Sequence, residues 1–127
     1  MTERKETVVP LIVIQHKPGR VLDNMLTNLA NEMPEIVAKA LHAPENKEAH
    51  LVPSDIEVWV QESGKLDVNT KDLEIIIWAN TYPERLKNLP ARKDMIVQGV
   101  RRFLADYDCN LSGYVWILLQ PAAFGEL

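Results

Sequence analysis

Cysteine is nearly absent from this chain: Cys109 is the only one among 127 residues, and a lone thiol excludes an internal disulfide. No apolar run approaches the roughly 20 residues that a membrane-spanning helix needs. Charge of one sign is not concentrated either. Fourteen Lys+Arg stand against 18 Asp+Glu for a net charge of −4, and without a basic block the electrostatic footprint for nucleic acid is missing. Of the five glycines, Gly64, Gly99 and Gly113 are isolated and Gly19 reads as a turn residue, so there is no glycine-rich phosphate loop. His16, His42 and His50 include no pair at four-residue helical spacing and have no cysteine cluster beside them. Neither a metal nor another cofactor is expected. The opening "MTERKETVV" is too polar for a signal peptide, which leads to the expectation of a soluble, cytoplasmic protein.

What is present suits a single domain over 1–127, with residues 1–7 as a polar extension: 46% hydrophobic and 25% charged residues is an ordinary globular composition. "VVPLIVIQH" is a continuous β-branched apolar run and predicts a first strand over about 8–16, buried on both faces. After the turn "KPGR", apolar residues recur at three- and four-residue steps from Leu22 to Leu41, which predicts a long helix bent at Pro34. "IEVWVQE" and "LEIIIWAN" predict strands on either side of the turn "SGKLDVNTKD". The stretch from Tyr82 to Tyr107 again has helical spacing, with Pro90 marking a break or a tight first turn, and "GYVWILLQP" predicts the last strand.

The order is β-α-β-β-α-β, and its halves echo each other. A strand leads into Pro18-Gly19-Arg20, a helix and Val58-Trp59; a strand leads again into Pro83-Glu84-Arg85, a helix and Val115-Trp116. This reads as a duplicated βαβ unit. The expected fold class is α+β, a four-stranded mixed sheet with two helices on one face. Because the strands are apolar on both faces, the second face must also be covered. Packing between subunits is the simplest cover, so an oligomer is expected.

On Pro10-Leu11-Ile12-Val13-Ile14, Gly19-Arg20 and "IVAKALHAPENKEAHLVPSDIEVWVQE", the sequence resembles the tautomerase superfamily, the group of 4-oxalocrotonate tautomerase and macrophage migration inhibitory factor, in its long two-unit form. The resemblance runs from Pro10 to the chain end and implies a homotrimer. It also implies a catalytic amino-terminal proline, whose free secondary amine in a partly desolvated site has a depressed pKa and serves as general base. Here nine residues precede Pro10. Its nitrogen belongs to an amide, with the lone pair delocalised into the carbonyl, and can neither carry nor remove a proton. Pro10 is therefore catalytic only if those residues are removed, and otherwise begins a strand, where a missing N–H costs little.

The resemblance further places Arg20 on a substrate carboxylate, in an interface cleft near Pro10, through its planar two-nitrogen fork. The plainer alternative is an exposed arginine at a helix start. Arg85 holds the equivalent place in the second half, where Glu84 and Lys87 suggest an ordinary solvated face. Asn80 and Tyr82 could donate hydrogen bonds to a small carbonyl ligand from the end of a strand. Trp59, Trp78 and Trp116 suit core or interface, with Trp116 also a candidate pocket wall. Cys109 reads as structural. Three functions stay open: a small-carboxylate-binding relative lacking proline chemistry in the intact chain, an active keto-enol tautomerase of 2-keto or unsaturated carboxylates once Pro10 is exposed, and a ferredoxin-like sensing or protein-interaction module. Strand pairing separates the last from the others, because ferredoxin-like units place another strand between the two strands of each βαβ.

Overall fold

The computed structural model describes residues 10–45, 50–123, 125 and 127; the polar extension and the first two residues of the expected β1 lie outside the described residues. The elements are β1 (Leu11–His16), α1 (Asp23–Leu41), a 3-10 turn (Pro53–Asp55), β2 (Glu57–Glu62), β3 (Leu73–Asn80), α2 (Pro83–Lys87), α3 (Leu89–Ala105) and β4 (Gly113–Gln120). α1 runs unbroken through Pro34, although the proline ring removes the bond to the carbonyl of Ala30. The second helical stretch is divided into two helices, with the break expected at Pro90 falling just ahead of it. They separate at Asn88, and Pro90 falls in the first turn of α3, where its missing N–H costs nothing.

One mixed sheet carries the fold, in the order β2-β1-β3-β4. β1 pairs with β2 in parallel and β3 with β4 in parallel, while β1 and β3 run antiparallel at the centre. Adjacent parallel strands within each βαβ unit exclude the ferredoxin-like arrangement. The central antiparallel pair also relates the halves by an approximate two-fold, so the end of β1 and the end of β3 lie at opposite ends of the sheet.

Strand alternation assigns the two faces. Ile12, Ile14, Leu73, Ile75, Ile77 and Ala79 point to the helices and are buried with Met25, Leu26, Leu29, Met33 and Val37 of α1 and Ile96, Val100 and Phe103 of α3. The helices cross closely enough that a Cβ on Gly99 would lie 2.9 Å from the Ile36 side chain. The other face holds Leu11, Val13, Ile76, Trp78, Trp59, Tyr114, Trp116 and Leu118, and no helix of the described residues covers it. Trp59 (55% exposed), Tyr114 (50%) and Trp116 (48%) stand well out of the chain's own packing.

Candidate functional site

Pro10 is fully buried immediately ahead of β1. Leu11 pairs with Trp78 on one side and Glu57 on the other, so the antiparallel centre brings the end of β3 to the proline. Asn80, Tyr82 and Arg85 therefore share this end of the sheet with Pro10. Gln120 joins them as the register partner of Asn80.

Arg85 is the largest side chain fully buried in the protein, which corrects the solvated face expected from its charged neighbours. Pro83 opens α2 at its first position, and the Arg85 backbone N–H donates to the Tyr82 carbonyl at 2.9 Å, which turns the side chain inward. Its Nε donates to the Leu41 carbonyl at 3.1 Å and its Nη1 to the Asn80 carbonyl at 3.1 Å. The guanidinium also lies 4.8 Å from the centre of the Tyr82 ring, whose face attracts a cation. Burial pushes the Arg85 pKa down to about 10, which still leaves a cation at neutral pH. Its Nη2, and Oε2 of Glu84, are buried with no partner among the described residues.

Arg92, which sequence reasoning did not single out, completes the arrangement from α3. Its Nη1 donates to the carbonyls of Ala40 (3.0 Å) and His42 (2.9 Å), Nη2 to that of Glu84 (3.2 Å) and Nε to Asn88 Oδ1 (2.6 Å). The last carbonyls of a helix have no intrahelical donors and sit at the negative end of its dipole, so two cations there satisfy both requirements. The signal was in the sequence: Arg92 falls in phase with Ile96, Val100 and Phe103, a charge on the buried stripe of α3.

The other two end residues are tied into the backbone. Asn80 Oδ1 accepts from the N–H groups of Thr81 (3.0 Å) and Ala122 (3.3 Å), which anchors the chain after β4. Tyr82 is buried against Ala43. Trp116 is not part of this group. It sits on the open face of the edge strand β4, edge-on to Tyr114 with ring centres 6.1 Å apart.

Arg20 lies at the far end of β1. Within one chain the expected neighbourhood of Arg20 and Pro10 is not formed, because the whole strand separates them. Gly19, at φ +75°, turns the chain outward before α1 starts, and the Arg20 side chain is 54% exposed. It binds Asp72 through two parallel bonds, Nε to Oδ1 at 3.1 Å and Nη2 to Oδ2 at 3.3 Å. Asp72 also accepts from the Ser112 N–H at 3.0 Å, while its own N–H donates to Ser112 Oγ at 3.2 Å. The hydrogen bonds from Arg20, then that from Ser112, lower the Asp72 pKa from an ordinary 3.8 to about 2. This carboxylate joins the turns after β1 and before β3 and β4. Its partnership with Arg20, 52 positions away, leaves no mark in the sequence.

A groove of about 730 Å³ runs over the outer surfaces of α1 and α3 between Glu32, Glu35, Lys39, Asp94, Met95 and Arg102. It does not include any residue of the Pro10 end. Among the described residues, no three His, Cys, Asp or Glu side chains come together as a metal site, and no helix is long and apolar enough to cross a membrane.

No family model and no curated protein matches this chain. Solved structures do, and they share the arrangement of strands and helices described above. A 5-carboxymethyl-2-hydroxymuconate delta-isomerase superposes with a TM-score of 0.63 at 11% identity over 97% of this chain and 89% of its own. A malonate semialdehyde decarboxylase, solved also as a proline-to-alanine variant, gives 0.57 at 13% identity over 91% of each chain. A fused 4-OT, described as an asymmetric trimer, gives 0.56 at 13% identity, again over 91% of each. The chain has the tautomerase-superfamily fold.

Proposed function

We propose that this protein is a homotrimer that binds a small carboxylate or carbonyl compound at the Pro10 end of the sheet, and that the intact chain lacks proline-based tautomerase chemistry. The observation that carries the proposal is the pairing of a buried proline in amide linkage with a buried cation at the same strand ends. Arg85 keeps one guanidinium nitrogen, Nη2, without a partner among the described residues. A buried donor on a cation is costly unless an acceptor reaches it, and a carboxylate oxygen is the acceptor that best matches it in charge and geometry. Asn80 and Tyr82 would contribute walls or donors. Arg20, whose Nη1 is left over from its bonds to Asp72, would serve a pocket only when a neighbouring subunit brings that end of β1 to it.

Assembly is supported by the open face. The fused 4-OT relative is a trimer, and the exposed aromatic and aliphatic side chains on the second face of this sheet favour a subunit partner over water.

A second reading, keto-enol tautomerisation after residues 1–9 are removed, rests on the position of Pro10 at the head of the central strand. Starting the chain there converts an amide into a secondary amine, and both burial and the nearby Arg85 cation disfavour its protonated form, giving a base near neutral pH. The test compares intact protein with protein starting at Pro10. Phenylpyruvate should bind both, detected by calorimetry, and enolise only on the second. Equal inactivity with binding retained leaves the binding function and removes the catalytic one. No binding to either removes both.

A further inference from the structure

Among the described residues, two buried side-chain atoms have no hydrogen-bond partner: Nη2 of Arg85 and Oε2 of Glu84. They are opposite in kind, a cationic donor and an acidic acceptor, and they stand on successive residues of α2. The guanidinium is fixed by its bonds from Nε to the Leu41 carbonyl and from Nη1 to the Asn80 carbonyl. Because the group is planar, those two bonds also fix Nη2. The Glu84 backbone is held from α3 by Arg92, whose Nη2 donates to the Glu84 carbonyl at 3.2 Å. The two side chains sense each other: burial lowers the Arg85 pKa, and the Glu84 charge is among the neighbours that push it back up. They nevertheless form no bond to one another, so a gap wider than hydrogen-bond reach separates the two unpartnered atoms.

A buried donor or acceptor without a partner costs free energy, most of all on an ion. A simple anion would satisfy Arg85 and be repelled by Glu84; a simple cation would do the reverse. A keto acid meets only the first requirement, because the oxygen beside its carboxylate is a second acceptor and sets a lone pair against the Glu84 carboxylate. Opposite charges carried side by side on one ligand satisfy both side chains.

We propose that the ligand bound at this end of the sheet is a 2-amino acid, its carboxylate on Nη2 of Arg85 and its ammonium on Oε2 of Glu84. The inference rests on the carboxylate site proposed above and names its ligand class and the residue that selects it. The two charged groups of such a compound sit on one carbon, so they arrive together and neither protein charge is left facing a like one. Both protein atoms are sealed from water, and a ligand therefore reaches them by local opening at this end of the sheet.

Four compounds sharing one phenyl ring read the two charges separately. Phenylalanine carries both, phenylpyruvate and 3-phenylpropionate only the carboxylate, and phenethylamine only the ammonium. Calorimetry on the full chain should find phenylalanine bound at least about tenfold more tightly than each of the other three, the scale of one charge-assisted hydrogen bond. Glu84→Gln keeps the size of the side chain and removes its charge. In that variant, checked for folding by thermal unfolding, phenylalanine should lose at least about tenfold in affinity while 3-phenylpropionate binds no more weakly than before, so that the two converge.

Phenylalanine bound no more tightly than 3-phenylpropionate by the wild-type chain would overturn the amino-acid assignment and leave the carboxylate site standing. That comparison needs no variant and decides the matter even if Glu84→Gln does not fold. A phenylalanine preference unchanged in folded Glu84→Gln would also overturn the assignment, because the ammonium would then be read by another group. No binding of any of the three carboxylates would remove the site and this inference together.

Discussion

Arg20 and Arg85 hold matching places in two halves of one duplicated plan, each two residues after a proline that follows a strand. Their surroundings are opposite. Arg20 stands half in water with both its bonds on one carboxylate, whereas Arg85 is sealed from solvent with its bonds on backbone carbonyls. The difference begins one residue earlier. Gly19 takes a left-handed conformation and the chain makes a full turn before α1 begins at Asp23; in the second half Pro83 is itself the first helical residue, so Arg85 is already on a helix and turned inward. The lesson is that a repeated sequence motif fixes where a cation enters but not which partner it finds. A guanidinium satisfies a carboxylate at the surface or orphaned carbonyls in the interior, and the local backbone selects between them.

The strongest way to break this comparison is Arg85→Ala. It leaves the Leu41 and Asn80 carbonyls without their donors and opens a void, so the loss should be about 3 kcal/mol or more by denaturant unfolding. A loss no larger than that of Arg20→Ala would show that the two arginines differ in exposure but not in weight. Next in size is Asp72→Ala. It removes the acceptor of both Arg20 bonds and of the Ser112 N–H, and should cost about 1–2 kcal/mol.

Gly19→Glu sharpens the comparison by giving the first half the Pro-Glu-Arg sequence of the second. A Cβ at Gly19 meets nothing within 4 Å, so the cost is backbone strain alone, about 1 kcal/mol at φ +75°. Arg20 should remain exposed, as judged by a crystal structure of the variant. An Arg20 drawn into the interior would mean that the glycine alone decides the difference.

The smallest effect at neutral pH belongs to Arg20→Ala, and acid reveals it. The Asp72 carboxyl titrates lower in the fold than its ordinary 3.8, so its contribution is complete above about pH 4 and is lost as pH falls through about 2. Without Arg20 the folded pKa rises toward the ordinary value, though the Ser112 N–H still holds it down in part. The stability gap between wild type and variant should therefore close between pH 4 and pH 2, measured by thermal unfolding at each pH. A gap that persists at pH 2 would mean that Arg20 acts through its alkyl packing.

The sequence by itself determined the elements and their order. β3 falls on the eight residues of "LEIIIWAN", and α1 follows the stripe from Met25 to Leu41 across a proline, because periodicity and turn chemistry are local. It also showed that Pro10 is an amide, which is covalent structure. Pairing decided the rest. Only the antiparallel contact of β1 with β3 brings Asn80, Tyr82 and Arg85 to Pro10 and sends Arg20 to the other end, and only the register lines up Trp59 and Trp116 in one row. The burial of Arg85 and Arg92 depends on where the last carbonyls of α1 arrive, some 40 to 50 positions away in the chain. A cation's partner is set by distance in space, and that distance exists only after the sheet and helices have closed on one another.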